Sequence, residues 1–140
     1  MQVAIQNLTA QETLPIRQTV FAPDQPQSQS VVPDDESGQH FGLLVDGRLV
    51  GVASLFIDGD RARLRKLAVL GDFRQLGLGT RLIRQVMDKA LEAKVQTLWC
   101  RIREPSLPFY ERFGFTMVPE SRHQKGSLTY CHIELSLGKK

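Results

Sequence analysis

The stretch FRQLGLGTRL, residues 73–82, sets two glycines one residue apart, with an arginine three before the first and a helical pattern directly behind. Without Cβ atoms, Gly77 and Gly79 let a ligand come close to the backbone amides. A helix start carries unpartnered N–H groups and a partial positive charge, so it is a ready anion site. Arg74 and Arg81 can add charge-assisted contacts. The chemistry implied is capture of a phosphate or pyrophosphate. Two familiar phosphate loops do not fit. A Walker-type loop puts four residues between its glycines and then Lys-Ser/Thr, whereas this turn reads Gly-Leu-Gly-Thr. A dinucleotide fingerprint needs a third glycine where Leu82 stands and an acidic residue closing the next strand. The strand-like run 96–102 has none.

The elements around this turn follow from pattern. VAIQNL (3–8) alternates weakly and reads as a first strand, and LPIRQTVF (14–21) as a modest helix. APDQPQSQSVVPDDESGQ (22–39) is rich in Pro, Gln, Ser and Asp and reads as a long loop, of the kind that carries function or moves. Asp46-Gly47 and Asp58-Gly59 separate three apolar runs. Asp-Gly between such runs signals a hairpin, so strands are expected at 40–45, 49–57 and 61–70. In residues 80–94, Leu82, Ile83, Val86, Met87, Ala90 and Leu91 make one helical stripe. Strand, helix and strand (96–102) form a crossover, which makes 61–70 and 96–102 parallel neighbours. SLPFYERFGF (106–115) is a short helix ending at Gly114, and FTMVPE and LTYCHIELSL close the fold as an antiparallel pair. The expected class is α+β: a mixed, mostly antiparallel sheet with one parallel βαβ unit and helices on both faces, all in a single domain 1–140.

Composition bounds the function. Hydrophobic residues at 41% and charged residues at 24% are ordinary for a globular domain. No apolar run reaches the ~20 residues a membrane span needs, and MQVAIQNLTA lacks the basic and apolar regions of a secretory signal. A cytoplasmic protein without a membrane partner is expected. Cys100 and Cys131 lie in strand-like runs without metal-ligand spacing, so two reduced core thiols and no metal are expected. The net charge of +3 is uneven. Residues 18–47 hold five acids and no Lys or Arg, so the remainder carries 18 cations against 10 acids. A cationic body suits an anionic ligand. Its cations look scattered over helices, with no arginine-rich arm or aromatic-interleaved patch, and no nucleic-acid partner is expected.

LAVLGDFRQLGLGTRLI resembles the signature of the GNAT superfamily of acetyl-coenzyme A-dependent N-acetyltransferases: an apolar strand, then Arg/Gln-x-x-Gly-x-Gly/Ala opening a long helix. FYERFGF (109–115) is similar to the family's second signature, a Tyr followed by a Gly-Phe turn. The resemblance covers residues 40 to 135 in element order. It implies acetyl-CoA as cosubstrate, with Arg74, Gln75, Leu76, Gly77, Leu78, Gly79 and Thr80 on its pyrophosphate. Backbone groups of Leu67, Ala68 and Val69 would meet the pantetheine arm. A small-molecule or peptide amine is the implied acceptor, and a homodimer is compatible with the reading. The sequence departs from the family at Gly71, where Pro is frequent, and at Arg103, where Asn is frequent.

N-acetylation needs a neutral amine, a polarised thioester carbonyl and a proton for the departing thiolate. By resemblance, Tyr110 is the general acid, since a phenol near ~10 can protonate a thiolate of conjugate pKa near ~8.5 only if held close. Strand 61–70 lacks the Glu base that many members place there. His40, just after Asp34, Asp35 and Glu36, is the candidate base through a water. His132, on the face of Tyr130 and Glu134, is a candidate for lining the acceptor cleft. The acidic loop would draw in a cationic amine. A rival reading is a non-catalytic acyl-CoA-binding sensor on the same fold, which turnover would separate.

Overall fold

The computed structural model describes residues 1–138. Eight strands form one sheet in the order β1-β2-β3-β4-β5-β8-β6, with β7 paired to β8. They are β1 (Val3–Leu8), β2 (Gln39–Val45), β3 (Arg48–Asp58), β4 (Arg61–Val69), β5 (Thr97–Arg103), β6 (Thr116–Met117), β7 (His123–Lys125) and β8 (Leu128–Ser136). The helices are α1 (Leu14–Phe21), α2 (Leu78–Glu92) and α3 (Leu107–Glu111). The pairing of β4 with β5 is parallel, from Arg61 opposite Thr97 to Arg63 opposite Trp99. The pairs β1–β2, β2–β3, β5–β8, β6–β8 and β7–β8 are antiparallel, which is the mixed sheet expected from the sequence. Among the described residues no helix is long and apolar enough to cross a membrane.

The residues pack as two compact units. The first comprises 1–56 and 64–89. Its β2–β3 hairpin turns on Asp46 (φ 50) and Gly47 (φ 85), the pair of left-handed residues that matches the twist of the flanking strands. Ile16 of α1, Val52 of β3 and Ala68 of β4 form a buried cluster that also gathers Leu8, Val20, Leu49 and Leu70. On α2 most of the apolar stripe does what its spacing predicts: Leu82, Ile83, Val86 and Ala90 are fully buried, whereas Leu91 at its end is 50% exposed.

The second unit comprises 57–63 and 90 onward. One face of its strands is apolar and closed, with Leu98, Cys100 and Ile102 of β5 and Cys131, Ile133 and Leu135 of β8 buried. Both cysteines are free thiols. The opposite face corrects the sequence expectation of scattered cations. In register, Arg63 lies opposite Trp99, Arg101 opposite His132, Arg103 opposite Tyr130, and Tyr130 opposite His123. Paired residues share a face, so the sheet interleaves arginine with aromatic rings that the linear sequence keeps apart. The strand β7 and its turn at Gly126 (φ 66) were not expected either. Three polar residues carry no periodic signal.

The 22–39 loop is more ordered than its composition implies. It contains two short 3-10 turns, Gln27–Ser30 and Asp35–Ser37, and the reason lies in the ion pair described next.

Candidate active site

The glycine turn opens α2 two residues earlier than the helical pattern alone indicates, at Leu78. Gly77 takes φ 78, and a Cβ placed there would meet nothing within 4 Å. Position 77 therefore needs glycine for its backbone, and it leaves open space beside the helix mouth. The first helical bond runs from Arg81 N–H to Gly77 O at 3.3 Å, so the amides of Leu78, Gly79 and Thr80 precede it. Gln75 is also left-handed, at φ 65. Leu78 is buried as the anchor, while Leu76 is 52% exposed and Arg74 and Arg81 are exposed. This is an open, positively poised loop of main-chain donors, and a pyrophosphate fits its chemistry.

Leu67, Ala68 and Val69 end β4 immediately before this loop. Arg74 Nε donates to Val69 O at 3.1 Å, tying the loop to the strand end. Just upstream, Lys66 sits at φ 59 inside the strand. A left-handed residue with a side chain interrupts regular strand geometry and costs of order 1–3 kcal/mol. The structure thus brings the sequence-predicted residues 67–69 and 74–80 into one stretch around the α2 mouth.

Tyr110 belongs to the second unit and lies at 7% exposure in α3. Its ring makes edge contacts with Phe109 at 5.0 Å and Phe115 at 5.7 Å between centroids. Burial pushes the phenol well above its ordinary value of 10.0, and the Cys100 thiol beside it pushes further. Burial thus favours the protonated phenol over the phenolate.

His40 is buried at the start of β2, 5% exposed. Its Nε2 faces the Asp35 carbonyl at 2.8 Å, which can only accept, so Nε2 carries a proton. In the neutral ring the Ser54 hydroxyl then donates to Nδ1, at 2.7 Å. Ser54 Oγ in turn accepts from Arg17 Nη2 at 3.1 Å. Arg17, fully buried, forks onto Asp35 through Nη1 at 2.8 Å and Nη2 at 2.9 Å, and Nη1 also reaches Ser30 O at 3.1 Å. Burial raises the Asp35 carboxyl, but the Arg17 hydrogen bonds, the Val32 N–H at 2.9 Å and the guanidinium charge outweigh it and hold it below 3.8. Asp35 is therefore not part of an exposed acidic lure. Only Asp34 and Glu36 of that trio are exposed. The sequence reading missed Arg17 and Ser54. The one available signal was Arg17 as the last cation before thirty residues without one.

His132 lies in the second unit, its ring 5.6 Å from that of Trp99. Burial lowers its pKa below 6.5, helped by His123, Arg101 and Arg63, while Glu134 opposes.

With this geometry in place, comparisons with known proteins agree on its kind. The profile of the acetyltransferase (GNAT) family matches residues 4–115. An uncharacterized N-acetyltransferase, YitI, of Bacillus subtilis (strain 168) is 28% identical over 125 residues, 83% of this chain and 84% of that protein. The [ribosomal protein bS18]-alanine N-acetyltransferase of Escherichia coli (strain K12) is 30% identical over 79 residues, so the match spans 54% of this chain and about half (53%) of that enzyme. The crystal structure of the ribosomal-protein-S18-alanine N-acetyltransferase from Escherichia coli superposes with a TM-score of 0.83 at 21% identity, covering 99% of this chain and 96% of that one. The family match spans both the glycine turn and the parallel strand pair, and this chain belongs to the acetyltransferase (GNAT) family as an acetyl-CoA-dependent N-acetyltransferase.

Proposed function

We propose that the chain moves the acetyl group of acetyl-CoA to a primary amine of a small molecule or peptide by direct attack, with Tyr110 protonating the departing thiolate. The observation that carries this reading is Gly77: a left-handed glycine beside open space, at the mouth of a 15-residue helix. The cosubstrate supplies an activated thioester. In this reading Arg74, Gln75, Leu76, Gly77, Leu78, Gly79 and Thr80 hold its pyrophosphate, and the main chain of Leu67, Ala68 and Val69 holds its pantetheine arm. Tyr110 Oη keeps its proton because burial disfavours the phenolate. It serves as a donor whose effectiveness rests on placement rather than acidity. His40 has both ring nitrogens engaged. It takes part as a positioning residue that fixes the 27–37 segment, while the C–N bond forms as the C–S bond breaks and the proton lost by the acylated nitrogen replaces the one that Tyr110 gives the thiolate. Asp34 and Glu36 draw a cationic amine.

The test is turnover of acetyl-CoA with a panel of amines, read as thiol release. Release with at least one amine, lost in Tyr110→Phe, supports the reading. A second reading, a non-catalytic acyl-CoA-binding sensor, is favoured by one observation: β4, RARLRKLAV, carries no carboxylate to take the amine's proton. Calorimetric binding of acetyl-CoA with no thiol release across the panel would establish it instead.

A further inference from the structure

The second unit carries a face to which the proposed mechanism assigns no residue, although the sequence offers His132 there as a candidate for lining the acceptor cleft. Across it, Arg63 stacks over the Trp99 ring with its guanidinium carbon 4.4 Å from the centroid. Arg101 stacks over Tyr130 at 4.2 Å. His123 lies parallel to Tyr130, 20° between planes and 5.8 Å between centroids, and meets His132 edge-on at 5.9 Å. His132 tilts against Trp99 at 5.6 Å. The result is one continuous band over four strands, β4, β5, β7 and β8, with an arginine at each end and four rings between. All six members are partly exposed.

The band is held in place by hydrogen bonds. Arg101 Nε donates to His123 Nε2 at 3.2 Å, and His123 Nδ1 donates to Ser121 O at 2.9 Å. Nε2 must accept and Nδ1 must donate, which fixes the ring's tautomer and plane. The acids nearby are already engaged. Glu134 pairs with Arg61 at 2.9 Å, and Glu104 pairs with Arg122. What remains for a partner is cationic and flat.

We propose that this face binds a single-stranded nucleic acid. Guanidinium planes and half-exposed rings give both contacts that a single strand offers: charge for phosphates and flat surfaces for unstacked bases. A duplex keeps its bases stacked and would use only the cations. An acidic polypeptide would likewise use the cations and leave the rings without a counterpart. A fixed band also loses little side-chain entropy when it is occupied. The sheet face lies on the side of β5 opposite Cys100, the neighbour of Tyr110, so the inference stands independently of the acetyl-transfer reading.

The test uses the intact protein and an oligothymidylate of about 12 nucleotides, within the span of a single-strand site. Trp99 is the sole tryptophan, so its emission reports directly on the face. The expected result is quenching of Trp99 emission that saturates and weakens as salt rises, with a log–log slope of about −0.7 per phosphate engaged. Arg101→Ala should weaken binding at least about fivefold, consistent with loss of a stacked cation. It should keep the thermal shift given by acetyl-CoA. Should Arg101→Ala fail to fold, Arg103→Ala, an exposed position on the same face, should weaken binding in the same direction. Poly-L-glutamate of matched charge should compete at least about tenfold less well, as stacking adds to charge. No quenching, unchanged affinity in whichever variant folds, or equal competition by poly-L-glutamate overturns the proposal, the last pointing to an acidic polypeptide partner.

Discussion

At the scale of single residues, the proposed mechanism assigns chemistry to Tyr110 and cosubstrate binding to Gly77. Tyr110→Phe removes one oxygen from a buried ring. It should lower kcat by about 10²-fold or more, the ordinary contribution of a placed proton donor, while leaving KM for acetyl-CoA within about twofold, since binding contacts are untouched. Because burial raises the phenol's pKa, the wild-type kcat should not fall as pH rises toward 10.0, the value at which an exposed tyrosine would deprotonate. A decline well below that pH would remove Tyr110 from the donor role. Gly77→Ala probes the other half. The added methyl has space but must adopt φ 78, at a cost of about 1–2 kcal/mol. Stability by denaturant titration should fall by that amount, and the KM for acetyl-CoA should rise more than kcat falls. The glycine spacing was legible in the sequence because it is local. Lys66 at φ 59 was not, since a run of alternating residues gives no sign of one left-handed member.

At the scale of elements, the Arg17–Asp35 fork joins α1 to the turn before β2. It explains why a Pro-, Gln- and Ser-rich segment is ordered. Removing one partner leaves the other charge buried, which costs about 3–5 kcal/mol. Asp35→Asn should therefore lower stability by about that much in urea titration, far more than Asp34→Asn, which touches only surface. Asp35 has its pKa lowered in the fold. The stability it confers is present above the ordinary carboxylate value of 3.8 and is lost as pH falls through the lowered folded value. Acid unfolding of the wild type should show this step, and Asp35→Asn should lack it. None of this was legible in advance. The two partners are 18 positions apart, and composition reads the acids of 34–36 as a solvated cluster. Strands and helices fared better. The Asp-Gly hairpins and the α2 stripe are periodic signals, and the expected ranges agree with the observed ones to within one or two residues at most ends. β7 escaped because three residues, His123–Lys125, show no period and pair only after β8 exists.

At the scale of the whole molecule, a ligand that binds only the folded chain raises its stability by mass action. Acetyl-CoA at a hundred times its Kd should add about 2.7 kcal/mol, which for a chain of this length is roughly 5–10 °C in Tm. Gly77→Ala should shrink that shift at equal ligand concentration, whereas Tyr110→Phe should not. A full shift in both variants would mean the cosubstrate sits elsewhere. The basic excess was visible in the sequence, but its arrangement was not, because Arg63 on β4 meets Trp99 on β5, and Arg101 on β5 meets the rings of β7 and β8, only through register.

The two cysteines have a practical corollary. Cys100 is 5% exposed and Cys131 is fully enclosed, and burial raises the Cys131 thiol further from its reactive anion. A thiol-directed dye added to the native protein therefore reports coenzyme A set free by turnover, with no background from the polypeptide. Signal that appears with no acetyl donor present instead times the opening of the fold.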